Sequence, residues 1–292
     1  VNLSLLNAGV SSSGGVGYGT GPSIGGQRPT NNNFMIEGVD NNRRNVTGPN
    51  ISVSNEAVSE FSVQQNQFSP EFGHSTGGQF NTILRSGSNE MHGSLYEYFR
   101  NRNLDAMDET DKRAGRKQIS RYDANRVGGA LGGPIVKNKW FYFGNYEYNP
   151  TGLASSASSS FVPTAEGYRL LEGISGLRKQ NLDILKQYAP AAGTQSGTRT
   201  VAVGGVAIPI GVFAVQAPSF INIHNVASSS DYILSDRDQL RARYLYFNQD
   251  QINAVAVPEF FTPVEDRSHV ATLSEFHTFS PTLTNELRLS FS

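Results

Sequence analysis

The chain has 292 residues, 37% apolar and 17% charged, with a formal net charge of -1. That balance leaves no basic footprint for nucleic acid, and zero cysteines exclude a disulfide framework, a thiolate metal site and a cysteine nucleophile. With Gly 30, Phe 17 and Tyr 12 against three methionines, the composition favours strands and turns, because aromatics fit pleated surfaces and glycine punctuates them. No apolar run approaches the ~20 residues of a membrane helix, yet a transmembrane β-strand needs only ~9 to 11 residues of alternating polarity, so a bilayer is not excluded. The chain opens at Val1 and stops at Ser292 inside an alternating run, as a fragment of a longer polypeptide does.

In chain order, Ser11 to Gly26 is a glycine-rich loop. Its glycines fit neither the dinucleotide fingerprint nor a P-loop, so it reads as a flexible segment rather than a phosphate cradle. Gln27 to Asn33 leads into the short apolar run Phe34-Met35-Ile36-Glu37-Gly38-Val39, which has the length of a buried strand, and Asp40 to Asn45 follows as a polar turn. Val58 to Val63 reads as a helical turn entering a strand. After Pro70, three glycines within Gly73 to Gly78 precede the apolar strand Gln79 to Leu84.

From His92 the pattern becomes strand and loop. Strands are predicted at His92 to Arg100, Arg121 to Gly133, Lys139 to Asn149, His224 to Ser235, Asp238 to Gln249, Arg267 to Phe279 and Thr284 to Ser292. Their connections alternate long and short: long at 101–120, 150–223 and 250–266, short at Pro134 to Asn138, Asp236-Arg237 and Ser280 to Thr282. Outer-membrane barrels keep long loops at the extracellular end and tight turns at the periplasmic end, whereas a soluble sandwich has no need to segregate them. Alternation points the same way. Leu240, Ala242, Tyr244 and Tyr246 share one face, opposite Gln239, Arg241 and Arg243; Leu287, Leu289 and Phe291 share another, opposite Glu286, Arg288 and Ser290. Trp140, Tyr142, Tyr146 and Tyr148 suit lipid and its interface, while Phe141, Phe143, Asn145 and Glu147 form a less clean opposite face.

Several short motifs, in order, carry a resemblance. They are Gly26 to Pro29 with Asn31 to Asn33, Phe34 to Asn42, Glu56 to Phe61, Ser69 to Gly78, Arg85 to Asn89 with His92-Gly93, Gly128 to Pro134, Trp140 to Gly144, and Phe279 to Leu283 with Asn285 to Arg288. Together the chain resembles the TonB-dependent outer-membrane receptors, in particular the Oar-like branch, whose members often carry a carboxypeptidase-regulatory-like module ahead of the plug. The resemblance implies an all-β dominated fold: a partial plug domain at 1–90, lacking its N-terminal end, then 91–292 as about seven strands of a family-typical 22-stranded antiparallel barrel. Asn55 to Arg100 then joins plug to wall, with Ser86 to Asn89 carrying the chain to the periplasmic rim.

By the same resemblance, a scarce or large ligand is bound at the surface of a Gram-negative-type outer membrane and imported by energy-coupled displacement of the plug. The implied partners are a TonB-type inner-membrane coupling complex, acting on a segment absent here, outer-membrane lipid, and a ligand such as a siderophore, glycan or peptide. Three plug loops are expected to face that ligand and bring Arg28, Asn31, Asn32, Asp40, Asn41, Asn42, Arg43, Arg44 and Phe72 to the site. Glu37-Gly38 stands where relatives usually have Asp-Gly, which leaves the local geometry open. The alternative is a barrel used for adhesion or assembly, without transport.

Other chemistry reads as structural. Asp105, Asp108, Glu109 and Asp111 are followed at once by Lys112, Arg113, Arg116 and Lys117, the pattern of a solvated mixed-charge loop. His269 and His277 flank Glu275 on one strand face without a metal-binding spacing. Serine, histidine and aspartate occur without a nucleophile elbow. Neither an enzyme, a metal nor a cofactor is expected. Leu170 to Tyr188 has helical apolar spacing and is expected as a short helix within the second long loop.

Overall fold

The computed structural model describes residues 2–11, 21–43, 48–65, 73, 75–109, 112, 119, 121–154, 158–192, 199–215, 218–254 and 261–292. The Ser11 to Gly26 loop lies largely outside them, as do Arg44, Phe72 and Asp111. Among the described residues no helix is long and apolar enough to cross a membrane.

The first part of the chain builds the plug. Strands β1 (Val10–Ser11) and β2 (Ser23–Ile24) pair with each other, and β3 (Asn33–Ile36), β4 (Val39–Asp40), β5 (Val58–Gln65) and β6 (Gly78–Leu84) form a four-stranded sheet in the order β4-β3-β6-β5. β3 and β6 run parallel; the other pairs are antiparallel. Its core is Ile24, Phe34 and Phe80, with the Phe34 and Phe80 rings stacked 4.8 Å apart. So small a core leaves much backbone in loops, and asparagine amides take up the unpaired groups, since one amide both donates and accepts. Asn41 accepts from the amide of Ile51 and donates to its carbonyl, at 2.9 and 3.0 Å. Asn32 likewise bridges the Pro22 carbonyl and the Gly78 amide, at 2.7 and 3.0 Å.

The second part is the wall. Strands β7 (His92–Asn101), β8 (Tyr122–Val136), β9 (Trp140–Ala154), β13 (Pro218–Ile233), β14 (Asp238–Ala254), β15 (Phe261–Ser280) and β16 (Leu283–Phe291) form one antiparallel seven-stranded sheet in that order, with β7 and β16 at its edges. β6 and β7, consecutive in the chain, belong to different sheets. All seven expected strands are present, and several are longer than alternation indicated. β14 runs on to Ala254 and β15 starts at Phe261, so the loop expected at 250–266 shrinks to residues 255–260. β9 reaches Ala154 and β13 begins at Pro218, so the loop expected at 150–223 shrinks to 155–217. Above the bilayer both faces of a strand meet water, and pairing continues without the apolar alternation that marks a membrane strand.

Within 155–217 the chain folds again. β10 (Ser158–Pro163), β11 (Arg199–Val203) and β12 (Val206–Val215) form a three-stranded sheet in the order β10-β12-β11. The single helix expected over Leu170 to Tyr188 is two helices, α1 (Ala165–Glu172) and α2 (Lys179–Tyr188). Gly173 caps the first, and Gly176 turns the chain at a φ of 94°. Tyr168, Leu171 and Ile208 form the core of this outer module, and the Tyr168 hydroxyl donates to the Ala189 carbonyl, tying α1 to the end of α2. Tyr168→Phe is expected to destabilise the module by about 1–2 kcal/mol, because it strands a buried carbonyl; limited proteolysis between Ala154 and Pro218 across a denaturant series measures this. Burial raises the Tyr168 pKa. Its contribution is therefore complete below the ordinary tyrosine pKa and is lost as pH rises through the raised one.

Candidate functional site between plug and wall

Period two decides what each side of the wall meets. Phe143, Asn145 and Glu147 of β9, Asn225, Ala227, Ser229 and Asp231 of β13, Arg243, Leu245 and Phe247 of β14, and Val270, Thr272 and Ser274 of β15 are buried on the plug side. Leu95, Leu131, Tyr244, Leu273, Leu287, Leu289 and Phe291, on the other side, are exposed. One apolar cluster joins the two domains: Ile36, Ile51, Ala57 and Leu84 of the plug against Ala130, Phe143, Ala227, Leu245, Phe247 and Val270 of the wall.

Polar links surround that cluster. At the short-turn end of the wall, Ile36 and Val39 pair across the two-residue turn Glu37-Gly38, with both central φ angles positive, at 50° and 76°. This is a type I′ turn, which glycine enters without cost and glutamate does not. The turn aims Glu37 at the wall. Its carboxylate accepts from Arg243 Nε at 2.8 Å and from the amide of Leu84 at 3.3 Å, while Arg288 donates to its backbone carbonyl. Arg243, with a side chain 6% exposed, also donates to Asp231 at 2.8 Å and to Ser86 in the plug-to-wall linker at 3.2 Å. One buried cation is thus shared between a carboxylate of the wall and one of the plug.

A second link lies farther along β9. Glu147 accepts from Arg126 at 2.9 Å, from Tyr96 at 3.1 Å and from Ser54 of the plug at 2.8 Å. Tyr96 reaches across Gly128, where a Cβ would sit 2.5 Å from its hydroxyl, so glycine is required there. Tyr98 donates to Glu56 at 3.1 Å, and Arg43 pairs with Asp266 at 2.9 Å nearer the long-loop end of the wall. Asn89 of the linker and Asn138 of the short β8–β9 turn bond reciprocally, at 2.7 Å each way.

The expected ligand-facing residues divide by environment. Arg28 and Asp40 are exposed, and Asn31 is half-buried with its amide bonded to Gln27. Arg43 is engaged by the wall. The amides of Asn32, Asn41 and Asn42 bond within the plug, Asn42 to Asn33 and to the backbone of Phe34. The acidic loop behaves as a mixed-charge surface: Asp105 pairs with Arg100 and Glu109 with Lys112. His277 meets Asp238 at 2.5 Å beside Glu275, whereas His269 lies with Tyr244 instead. Sequence reading singled out none of Glu37, Glu147, Arg243 or Asp231 as site residues. The available signal was a charge inside an apolar run, Glu37, and charged residues on the inner face of period-two strands, Arg243 and Glu147.

A membrane-spanning antiparallel wall with a small domain packed against its inner face defines a plugged outer-membrane barrel. Residues 83–292 match the family model described as an outer membrane beta barrel domain, and the chain belongs to that family. It is 35% identical over 131 residues, 42% of this chain and 12% of the relative, to the TonB-dependent transporter Oar of Myxococcus xanthus. Its fold is similar to that of the outer membrane transporter YddB of Escherichia coli, with a TM-score of 0.63 and 13% identity over 99% of this chain and 36% of that one. A mutant of the ferric enterobactin receptor of Pseudomonas aeruginosa gives a TM-score of 0.55 at 14% identity, over 97% and 36%. The chain thus spans about a third of the solved receptors it matches. It shares the fold of these outer-membrane proteins, and its place is the outer membrane of a Gram-negative bacterium.

Proposed function

We propose that the protein imports a scarce or large ligand by energy-coupled displacement of the plug, with residues 1–90 as the plug and 91–292 as the first strands of the wall. The observation that carries this reading is the way Arg243 divides its bonds. When Glu37 leaves with the plug, Asp231 remains to pair the guanidinium, so the link opens without stranding a buried cation, the most costly outcome of breaking a buried ion pair. The partners in this reading are a TonB-type coupling complex and a ligand of the siderophore, glycan or peptide class. Arg28, Asn31, Asp40 and Arg43, with Arg44 and Phe72, are proposed to face that ligand, while Asn32, Asn41 and Asn42 brace the loops that carry it. Uptake of single labelled candidates by cells with and without the gene, before and after the proton gradient is collapsed, tests the proposal. Uptake that needs both the gene and the gradient is expected; gene-dependent uptake that survives collapse would sink it, and surface adhesion with no uptake supports the non-transport alternative.

A further inference from the structure

The module in the second long connection has two sheet edges, and the chain treats them differently. The edge of β10 is covered by the chain itself: the Ala192 amide donates to the Pro163 carbonyl at 3.1 Å, and Ala192 bridges to Thr164. Pro163 also lacks a donor of its own. The edge of β11 has no such cover among the described residues, and Arg199 to Ala202 are exposed.

Register fixes which backbone groups that open edge offers. Val203 pairs with Val206 across the two-residue turn Gly204-Gly205, whose φ angles are both positive, at 57° and 80°. In such a hairpin Val203, Val201 and Arg199 exchange hydrogen bonds with β12, and the residues between them do not. Pro209 agrees with that parity. It stands opposite Thr200 with no N–H to give, and its carbonyl accepts from the Thr164 amide on the far side at 3.0 Å. Thr200 and Ala202 therefore turn both N–H and C=O away from the sheet, and among the described residues no group meets these four. Exposed edges are ordinarily blunted by lysine, proline or a bulge; Thr200-Val201-Ala202 carries none of them.

Two donors and two acceptors in line, at the spacing of a strand, match one kind of partner, an extended backbone. The side chains narrow it. Val201, 47% exposed, shares a face with Arg199, whose guanidinium lies over the half-exposed Phe161 ring at 5.0 Å. On an added antiparallel strand the residue opposite Val201 sits in a non-hydrogen-bonded pair, where side chains approach most closely, so an apolar one fits; two residues further on, opposite Arg199, an acidic one fits. The module connects β9 to β13 at the long-loop end of the wall, the end that outer-membrane barrels turn to the exterior. We propose that β11 captures an extended peptide as an added antiparallel strand, with an apolar residue opposite Val201 and a carboxylate opposite Arg199. Making that peptide the imported ligand rests on the transport reading above; docking is measured without import, so a peptide that binds and is not taken up counts against transport alone.

Full-length receptor in detergent, titrated with the fluorescent, end-blocked peptide Thr-Ser-Val-Thr-Asp and followed by anisotropy, tests this. The wild type is expected to bind it, and to bind about 10-fold more weakly the same peptide N-methylated at its serine and second threonine, which loses the two donors facing Ala202 and Thr200. Ala202→Pro removes an outward N–H that the module does not use, so it is expected to leave the module folded and weaken binding about 10-fold. Arg199→Gln is expected to cost about 3-fold, and nothing when the aspartate of the peptide is replaced by asparagine. Limited proteolysis between Ala154 and Pro218 checks that each variant is folded; if Ala202→Pro fails that check, the N-methylated peptide and Arg199→Gln carry the test. No binding, equal binding of the N-methylated peptide, or slow hydrogen exchange at Thr200 and Ala202 in the peptide-free receptor, which would mean that another part of the receptor or a second copy already covers the edge, would overturn the proposal.

Discussion

Arg243→Ala is expected to destabilise the plug–wall assembly by about 3–5 kcal/mol, the cost typical of removing one partner of a buried ion pair. The reason is what remains. Glu37 and Asp231, both well covered, are left with like charges and no shared cation, and Ser86 loses the donor that holds the linker. Glu37→Ala is expected to cost less, because the guanidinium keeps Asp231. Replacing all three by apolar residues of similar volume, Arg243→Met with Glu37→Leu and Asp231→Leu, is expected to recover most of the loss. Denaturant midpoints of the full-length protein in detergent order the four proteins: wild type, then the triple variant, then Glu37→Ala, then Arg243→Ala. If Arg243→Ala were as stable as the wild type, the shared cation would not hold the plug.

The wall was legible because its signal is repetitive. Each strand states the same alternation, and Leu287, Leu289 and Phe291 or Leu240, Ala242 and Tyr244 declare the lipid side without reference to any other strand. What alternation lacks is an end point: once β14 and β15 leave the bilayer, Asp250 to Asn253 and Thr262 to Asp266 continue to pair while reading as polar loop. The second long connection hid its module for a related reason. Leu170 to Tyr188 has one apolar periodicity, and Gly173 and Gly176 divide it into two helices that pack through Tyr168. The plug–wall contacts were the least legible. Glu37 and Arg243 are 206 residues apart, and nothing local to either states its partner. Asparagines in exposed-looking loops invited a ligand-facing reading, whereas Asn32 and Asn41 are buried braces. A polar residue in a loop satisfies either water or its own backbone, and the sequence does not say which.

Phe80→Ala is expected to unfold the plug and leave the wall standing. Phe80 is 1% exposed, stacked on Phe34 and flanked by Phe61 at 6.2 Å. Among the described residues the plug has no second core of its own, and truncating a buried phenylalanine costs about 3–5 kcal/mol, a large share of what so small a domain can hold. The wall depends on different terms. Its strands are held by an antiparallel ladder and by lipid, and the two are connected by the contacts of Ile36, Ile51, Ala57 and Leu84 with its inner face and by the polar links of Glu37, Ser54, Glu56 and Arg43. The full-length variant should therefore keep heat-modifiable migration while protease cuts within residues 21–84 much faster than in the wild type. Loss of both together would mean that plug and wall fold as one cooperative unit. The separate outcome is what displacement of the plug requires, because a domain can leave a barrel only if the barrel survives without it.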